Sequence, residues 1–188
     1  MGVINPPPAT LLSAIHRRYS TRVFSPRNVS KEQIEHIFHA ARWAASSSNE
    51  QPWHFIVAAR DRDPEGHTRI GSTLVPGNAW ALTAPVLGIS VARTTFLRNG
   101  RHNPYYKHDT GAAMALAALQ AVEDGLNLRQ MGGFDAAKAA EVLEIPEGNE
   151  AVAAFALGYP ETVEAPAERQ RKLIEDVLFG GKFGQPLV

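Results

Sequence analysis

Cysteine is missing from this sequence. That excludes disulfides, cysteine nucleophiles, and zinc or iron–sulfur centres held by thiolates. Net charge is missing too: 19 basic residues balance 19 acidic ones. No general field exists to hold nucleic acid or an acidic membrane, which leaves only local basic patches. Long apolar runs are also lacking; the longest, Gly111 to Leu119, is alanine-rich and far too short to span a bilayer. The start, MGVINPPPATLL, has no charged-then-apolar signal pattern, and Pro6 breaks the myristoylation pattern. With no secretion signal the Asn28-Val29-Ser30 sequon carries no weight, and the expected location is a reducing cytoplasm. No GxSxG elbow, P-loop or GxGxxG fingerprint occurs. What is present is an ordinary globular balance, 44% hydrophobic and 20% charged over 188 residues, enough for one real core.

The element pattern predicts a single α+β domain over residues 1–188, with 1–9 as an extended proline-rich arm. Thr10 is a candidate cap for a first helix that ends in an arginine cluster. Ser30-Lys31-Glu32-Gln33 has the form of a capping box, followed by a core-facing stripe of Ile34, Ile37, Phe38, Ala41 and Ala45. Trp53–Ala59 reads as a strand, His67–Leu74 as a short helix, Pro85–Ala92 as a strand, and Arg93–Tyr106 as an aperiodic mobile segment. Asp109–Glu123 is a helix whose many alanines suit close packing on several sides, with Gly125 at its C′ position. Then come a strand at Asn127–Met131, a helix at Ala136–Leu143 capped by Asp135, a strand at Ala151–Leu157, and a brief helix at Ile174–Leu178.

Three stretches carry chemistry. IHRRYSTRVF packs Arg17, Arg18 and Arg22 with the hydroxyls of Tyr19, Ser20 and Thr21. Guanidinium forks match phosphate oxygens bidentately; the plainer alternative is a solvated basic face closing a helix end. SSSNEQPW, Ser46 to Trp53, is a polar loop between helix and strand that can present amides to a planar heterocycle. Pro52 is expected to hold Gln51 extended. Arg169-Gln170-Arg171 puts two guanidiniums on one side of an extended chain, able to meet one phosphate; the alternative is a charged tail. His36 and His39 share a helix face, but two histidines without a carboxylate make a poor metal site, so no metal is expected. Phe96, Tyr105 and Tyr106 are candidate pocket residues, as is Trp80, for which core packing is the alternative. His102 and His108 flank the tyrosines and could shape the same pocket.

In order and spacing, RRYSTRVF, SSSNEQPW, GNAW, GLNLRQMGGF, and GYP with a downstream arginine pair resemble the nitroreductase family, from about Leu11 to Gly184. The resemblance implies a central mixed or antiparallel sheet flanked by helices. It also implies FMN as cofactor, NADH or NADPH as donor, and a homodimer that builds each FMN site from both subunits, with the alanine-rich helix at the interface. By the same resemblance, Arg18, Tyr19, Ser20 and Arg22 match the first FMN segment, the last of them near the pyrimidine edge. Ser46, Ser47 and Asn49 lie in the loop along the ring, and Asn78 contacts the ribityl and pyrimidine side. Met131, Gly132 and Gly133 bring backbone to the ring, while Arg169 and Arg171 close on the phosphate. Three departures stand out. Tyr19 replaces an arginine and Ala45 a proline. Ala81 stands where some relatives carry a lysine near the flavin, which shifts charge stabilisation towards Arg22. The short tail after Gly184 leaves open an exchange of strands between subunits.

The expected function is ping-pong hydride transfer to a small-molecule acceptor, a nitroaromatic, quinone or similar, with neither nucleic acid nor membrane as partner. The cofactor, not a side chain, carries the reactive atom. A non-redox flavin-binding module, or a flavin-fragmenting or dehalogenating relative, remains the alternative.

Overall fold

The chain runs β1 (Val3–Ile4), α1 (Ser13–Arg17), α2 (Lys31–Ala41), β2 (Trp53–Ala59), α3 (Pro64–Gly71), β3 (Val86–Arg93), α4 (Tyr106–Glu123), β4 (Asn127–Met131), α5 (Ala136–Val142), β5 (Asn149–Gly158) and β6 (Gln170–Arg171). This order comes from a computed structural model that describes residues 3–4, 10–162 and 169–187. Apart from Val3–Ile4, the expected N-terminal arm lies outside the described residues. Short 3₁₀ turns occupy Ser47–Asn49, Pro76–Thr83 and Ile174–Asp176.

The fold is α+β. Strands β2, β3, β5 and β4 form one sheet in that order, antiparallel at every pairing. β1 and β6 make a separate antiparallel pair that sets Val3 opposite Arg171 and so brings the two ends of the chain together. On one face of the sheet α2 and α4 bury Ile37, Ala41, Ala113, Met114 and Ala117 against Phe155 and Leu157. On the other, Ile70, Ala81 and Ala139 pack on Ala58, Ile89 and Met131. β3 is buried almost throughout because both faces are covered.

Local signals explain most boundaries. Ser30 Oγ accepts from the Gln33 amide at 3.2 Å while Gln33 Oε1 accepts from the Ser30 amide at 3.1 Å, so both halves of the capping box are made. α4 closes on Gly125 at φ +74°, with the Leu126 amide reaching Ala121 O at 2.7 Å; the left-handed turn is cheap only without a Cβ.

Other expectations shift. α1 begins at Ser13, not after Thr10, and has no side-chain cap. Ala45 lies beyond α2. α3 starts earlier than expected because Asp63 caps the Gly66 amide and Pro64 fits the first turn. The Ile174 helix shortens to a 3₁₀ turn. The aperiodic stretch after β3 folds back on itself: Phe96 N–H donates to Arg101 O at 2.8 Å, and Asn103 N–H to Thr94 O at 2.8 Å.

Candidate functional site

Arginines from both chain ends meet at the end of α1. Arg169 donates from Nη2 to His16 O at 2.7 Å and from Nη1 to Arg18 O at 2.9 Å. These are carbonyls at the helix C-terminus, which attracts cations, so Arg169 closes the end of α1. Its fork is largely used there, and it acts as a brace that sets β6, and with it Arg171, beside Arg18. Burial, then the neighbouring charges of Arg171 and Arg169, hold the half-buried Arg18 guanidinium below the usual arginine value. Arg17 leaves the cluster, donating to Val122 O at 2.9 Å and pairing with Glu123.

Ser20 and Arg22 continue the segment as exposed residues. Tyr19 turns inward, 7% exposed, and gives its hydroxyl to Thr162 O. The ring that replaces the expected arginine therefore anchors the segment. Sequence reasoning missed Arg129 of β4, which donates from Nη1 to Ser20 O at 2.5 Å and lies 4.9 Å from the Trp80 ring centroid. The only signal was a basic residue two positions before Met131, which alternation puts on the same face. Among the described residues no carboxylate pairs with Arg18, Arg22, Arg129, Arg169 or Arg171.

Asn78 and the Met131–Gly133 segment adjoin this cluster. Asn78 Nδ2 donates to Gly133 O at 2.8 Å, and a Cβ on Gly133 would stand 2.7 Å from that nitrogen, so only glycine fits. Met131 is buried, whereas Gly132 is exposed and has open space at its Cβ position. Trp80 is half-buried and stacks towards Phe24, ring centroids 6.5 Å apart, which fits the packing alternative for one side of the ring.

The serine loop is built differently. Among the described non-glycine residues, Ser48, Asn49 and Gln51 take positive φ, together with only Glu144 elsewhere. Gln51 corrects the extended conformation expected before Pro52: its φ is +47°, held by its amide on Ser46 Oγ at 3.0 Å and its side chain on Asn49. Such strain persists only when the surroundings over-determine it. Two buried carboxylates do so. Asp109, in the first turn of α4, accepts the Ser47 amide at 2.9 Å. Glu50 accepts from Arg93 Nη2 at 2.8 Å and from the Leu97 amide at 2.9 Å. No local pattern marked these anchors.

The pocket candidates lie beside that loop. Tyr105 is 52% exposed, Phe96 is half-buried under Arg98, and Tyr106 donates its hydroxyl to Glu150, which fastens it to β5. His108 sits 3.0 Å from Asp109 Oδ1. His36 does find a carboxylate, Asp124 at 2.9 Å, supplied by the far end of α4, while His39 faces Arg42.

These residues form two groups along the sheet. Arg129 stands opposite Ala156 of β5. Trp53, which follows the serine loop, stands opposite Ala92, which pairs with Glu150. At about 3.3 Å per residue, the two levels on β5 are roughly 20 Å apart. A groove of about 720 Å³ between α1, α2 and α4 is lined by Leu12, Ala14, Trp43, Leu116 and Leu119; Trp43 is 84% exposed and Leu12 70%. Among the described residues no helix is long and apolar enough to cross a membrane.

The Nitroreductase family model matches residues 15–74 and 67–159. A "Putative NADH dehydrogenase/NAD(P)H nitroreductase" of Archaeoglobus fulgidus is 56% identical over 52 residues, 28% of this chain and 29% of that protein. An uncharacterized 15.4 kDa protein of Mycolicibacterium smegmatis is 34% identical over 148 residues, 71% of this chain and 99% of its own length. A crystal structure described as an oxidoreductase containing FMN is 29% identical with TM-score 0.85, covering 98% of this chain and 99% of that one.

Proposed function

The chain belongs to the nitroreductase family, and from that premise we propose that it is a single-domain, homodimeric FMN oxidoreductase taking hydride from NADH or NADPH and passing it to an organic acceptor. The observation that carries this reading is the meeting of Arg18 and Arg171, from opposite ends of the chain, with no described carboxylate to neutralise them. Arg18 is half-buried beside the exposed Arg171, and a phosphate is a group their forks fit.

FMN, when bound, supplies the atom that accepts and gives up hydride. The residues present fit such a group. Arg18, Arg171 and Ser20 would hold its phosphate, with Arg169 fixing their approach. Asn78 and the backbone of Gly132 and Gly133 would line the ring, and Arg22 would face its pyrimidine side. Ser46, Ser47 and Asn49 would lie along the ring from the partner subunit, a division supported by the roughly 20 Å between the two groups on one protomer. The exposed Trp43 groove is the surface a second copy would cover. Phe96, Tyr105 and Tyr106 would then wall the space that nicotinamide and acceptor occupy in turn, which makes the kinetics ping-pong. Nitroaromatics and quinones are the acceptor classes to try first.

The test is to load the purified protein with FMN and add NADH or NADPH without oxygen. Bleaching of the yellow colour, restored by an acceptor, is the expected result. Bound FMN that neither nicotinamide bleaches would contradict the reading and favour a non-redox flavin-binding protein.

A further inference from the structure

No acidic residue occurs from Gly66 to His108, although the chain as a whole is balanced. Among the lysines and arginines of that stretch, Arg69 lies 3.9 Å from Glu65, Arg93 is spent on Glu50, and Lys107 on Glu150. Arg98 and Arg101 pair with no carboxylate among the described residues, and both are exposed. They stand at the tip of the turn between β3 and α4, apart from the arginine cluster at the end of α1.

That tip is built to hold its shape. Thr95 and His102 bridge across its base. Arg101 O accepts from the Phe96 amide at 2.8 Å, Phe96 O from the Gly100 amide at 2.8 Å, and Asn99 Oδ1 from the Arg101 amide at 3.0 Å. Gly100 takes φ +68°, which is cheap without a Cβ. The Arg98 guanidinium lies 5.2 Å from the Phe96 ring centroid. On one side the Leu97 amide donates to Glu50, next to the serine loop, at 2.9 Å. On the other the His102 ring meets the Tyr106 ring edge-on, centroids 5.9 Å apart. The turn is therefore fastened both to the serine loop and to the tyrosine wall, with its two guanidiniums at the rim.

We propose that Arg98 and Arg101 form an anion subsite for the 2′-phosphate of NADPH, so that NADPH is preferred over NADH as donor. The inference rests on the FMN reading and names which of the two nicotinamides that site takes. The two donors differ only in this phosphate, so contacts to the nicotinamide end treat them alike. With that end in the pocket, the adenosine half has to leave across the rim, where the Phe96–Arg101 turn stands. Guanidinium forks match phosphate oxygens through charge-assisted hydrogen bonds. A turn already closed by its own hydrogen bonds loses little further freedom in making them. NADH brings only a neutral hydroxyl to the same place and gains little from the two charges.

The experiment measures binding of NADP+ and NAD+, which oxidised flavin does not consume, to the FMN-loaded full chain by calorimetry. The ratio of kcat/KM for NADPH and NADH is measured alongside. Wild type is expected to bind NADP+ about tenfold more tightly than NAD+. In the Arg98→Gln, Arg101→Gln double variant that ratio should fall to about one, with NAD+ affinity far less affected, and the kcat/KM ratio should follow. The Arg98→Lys, Arg101→Lys variant, which keeps the charges but loses the forks, should retain part of the preference. Equal affinities in wild type, or a preference that survives in the glutamine variant, would overturn the inference. So would an equal loss for both ligands, which would put the arginines on the pyrophosphate that the two share. If the glutamine pair does not fold, the single variants are read in the same way. Wild-type flavin that neither NADPH nor NADH bleaches would instead overturn the underlying reading, and this one with it.

Discussion

The arginine end and the serine-loop end of this molecule handle charge in opposite ways. At the serine loop the ions are paired within the chain: Glu50 with Arg93, buried to 6% and 19% side-chain exposure, and Asp109 with the Ser47 amide. At the arginine end Arg18, Arg22, Arg129 and Arg171 meet no described carboxylate. On the proposed reading, one region has its electrostatic energy in the apoprotein and the other gains it when an anion binds. Substitutions in the first should therefore damage folding before binding, and those in the second should do the reverse.

The sharpest break in that contrast would come from Glu50→Ala. It leaves Arg93 without its ion pair and the Leu97 amide without its acceptor. A stability loss of about 3 kcal/mol is expected, the low end for a broken buried pair because Arg93 keeps some solvent. Denaturant unfolding of the apoprotein measures it, and a loss under 1 kcal/mol would place this loop with the unpaired region.

Next in size is the Arg18→Ala, Arg171→Ala double variant. Each removes a charge-assisted contact of roughly 1.5–3 kcal/mol to the phosphate. Apoprotein stability should hold or rise, since mutual repulsion is relieved, while FMN retention collapses. Equal losses in both quantities would erase the distinction between the regions.

Asp109→Ala should cost about 1–3 kcal/mol by orphaning the Ser47 amide and freeing the loop. Faster proteolysis within residues 46–51 is the readout, and Asp109→Asn, which keeps an acceptor, should be milder. If the alanine variant is cut no faster than wild type, Asp109 is not the loop's anchor.

His67 belongs to neither region and sets the background for pH work. Burial holds its pKa below the ordinary 6.5, although its hydrogen bond to Ala84 O opposes the shift. The folded state thus resists protonation more than the unfolded state does. Its contribution to stability is complete above about pH 6.5 and falls as pH drops through the lowered value. His67→Gln should flatten that slope in unfolding measured from pH 7.5 to 5; an unchanged slope would point to another group.

What could be read from the sequence divides along similar lines. The Ser30 capping box, the WHFIVAA strand, Gly125 at the end of α4 and the Asp135 cap are local, and the chain shows them where the pattern put them. Arg129 was not legible because its meaning depends on β4 lying beside the N-terminal segment 109 residues earlier. The Ser47–Asp109 link joins residues 62 apart, and nothing near either position marks it. Tyr19 sat inside a motif whose composition suggested exposure, yet packing against residue 162 claimed it. Gln51 departed from pre-proline preference because two side-chain contacts within its own loop outweigh a backbone bias.

The central claim is that guanidiniums from the two chain ends grip one phosphate. The most direct measurement is the affinity of the apoprotein for FMN against riboflavin, which lacks only that group. The account predicts FMN tighter by roughly a hundredfold or more in wild type, with the gap closing in the Arg18→Ala, Arg171→Ala variant. Equal affinity of wild type for the two flavins would contradict it.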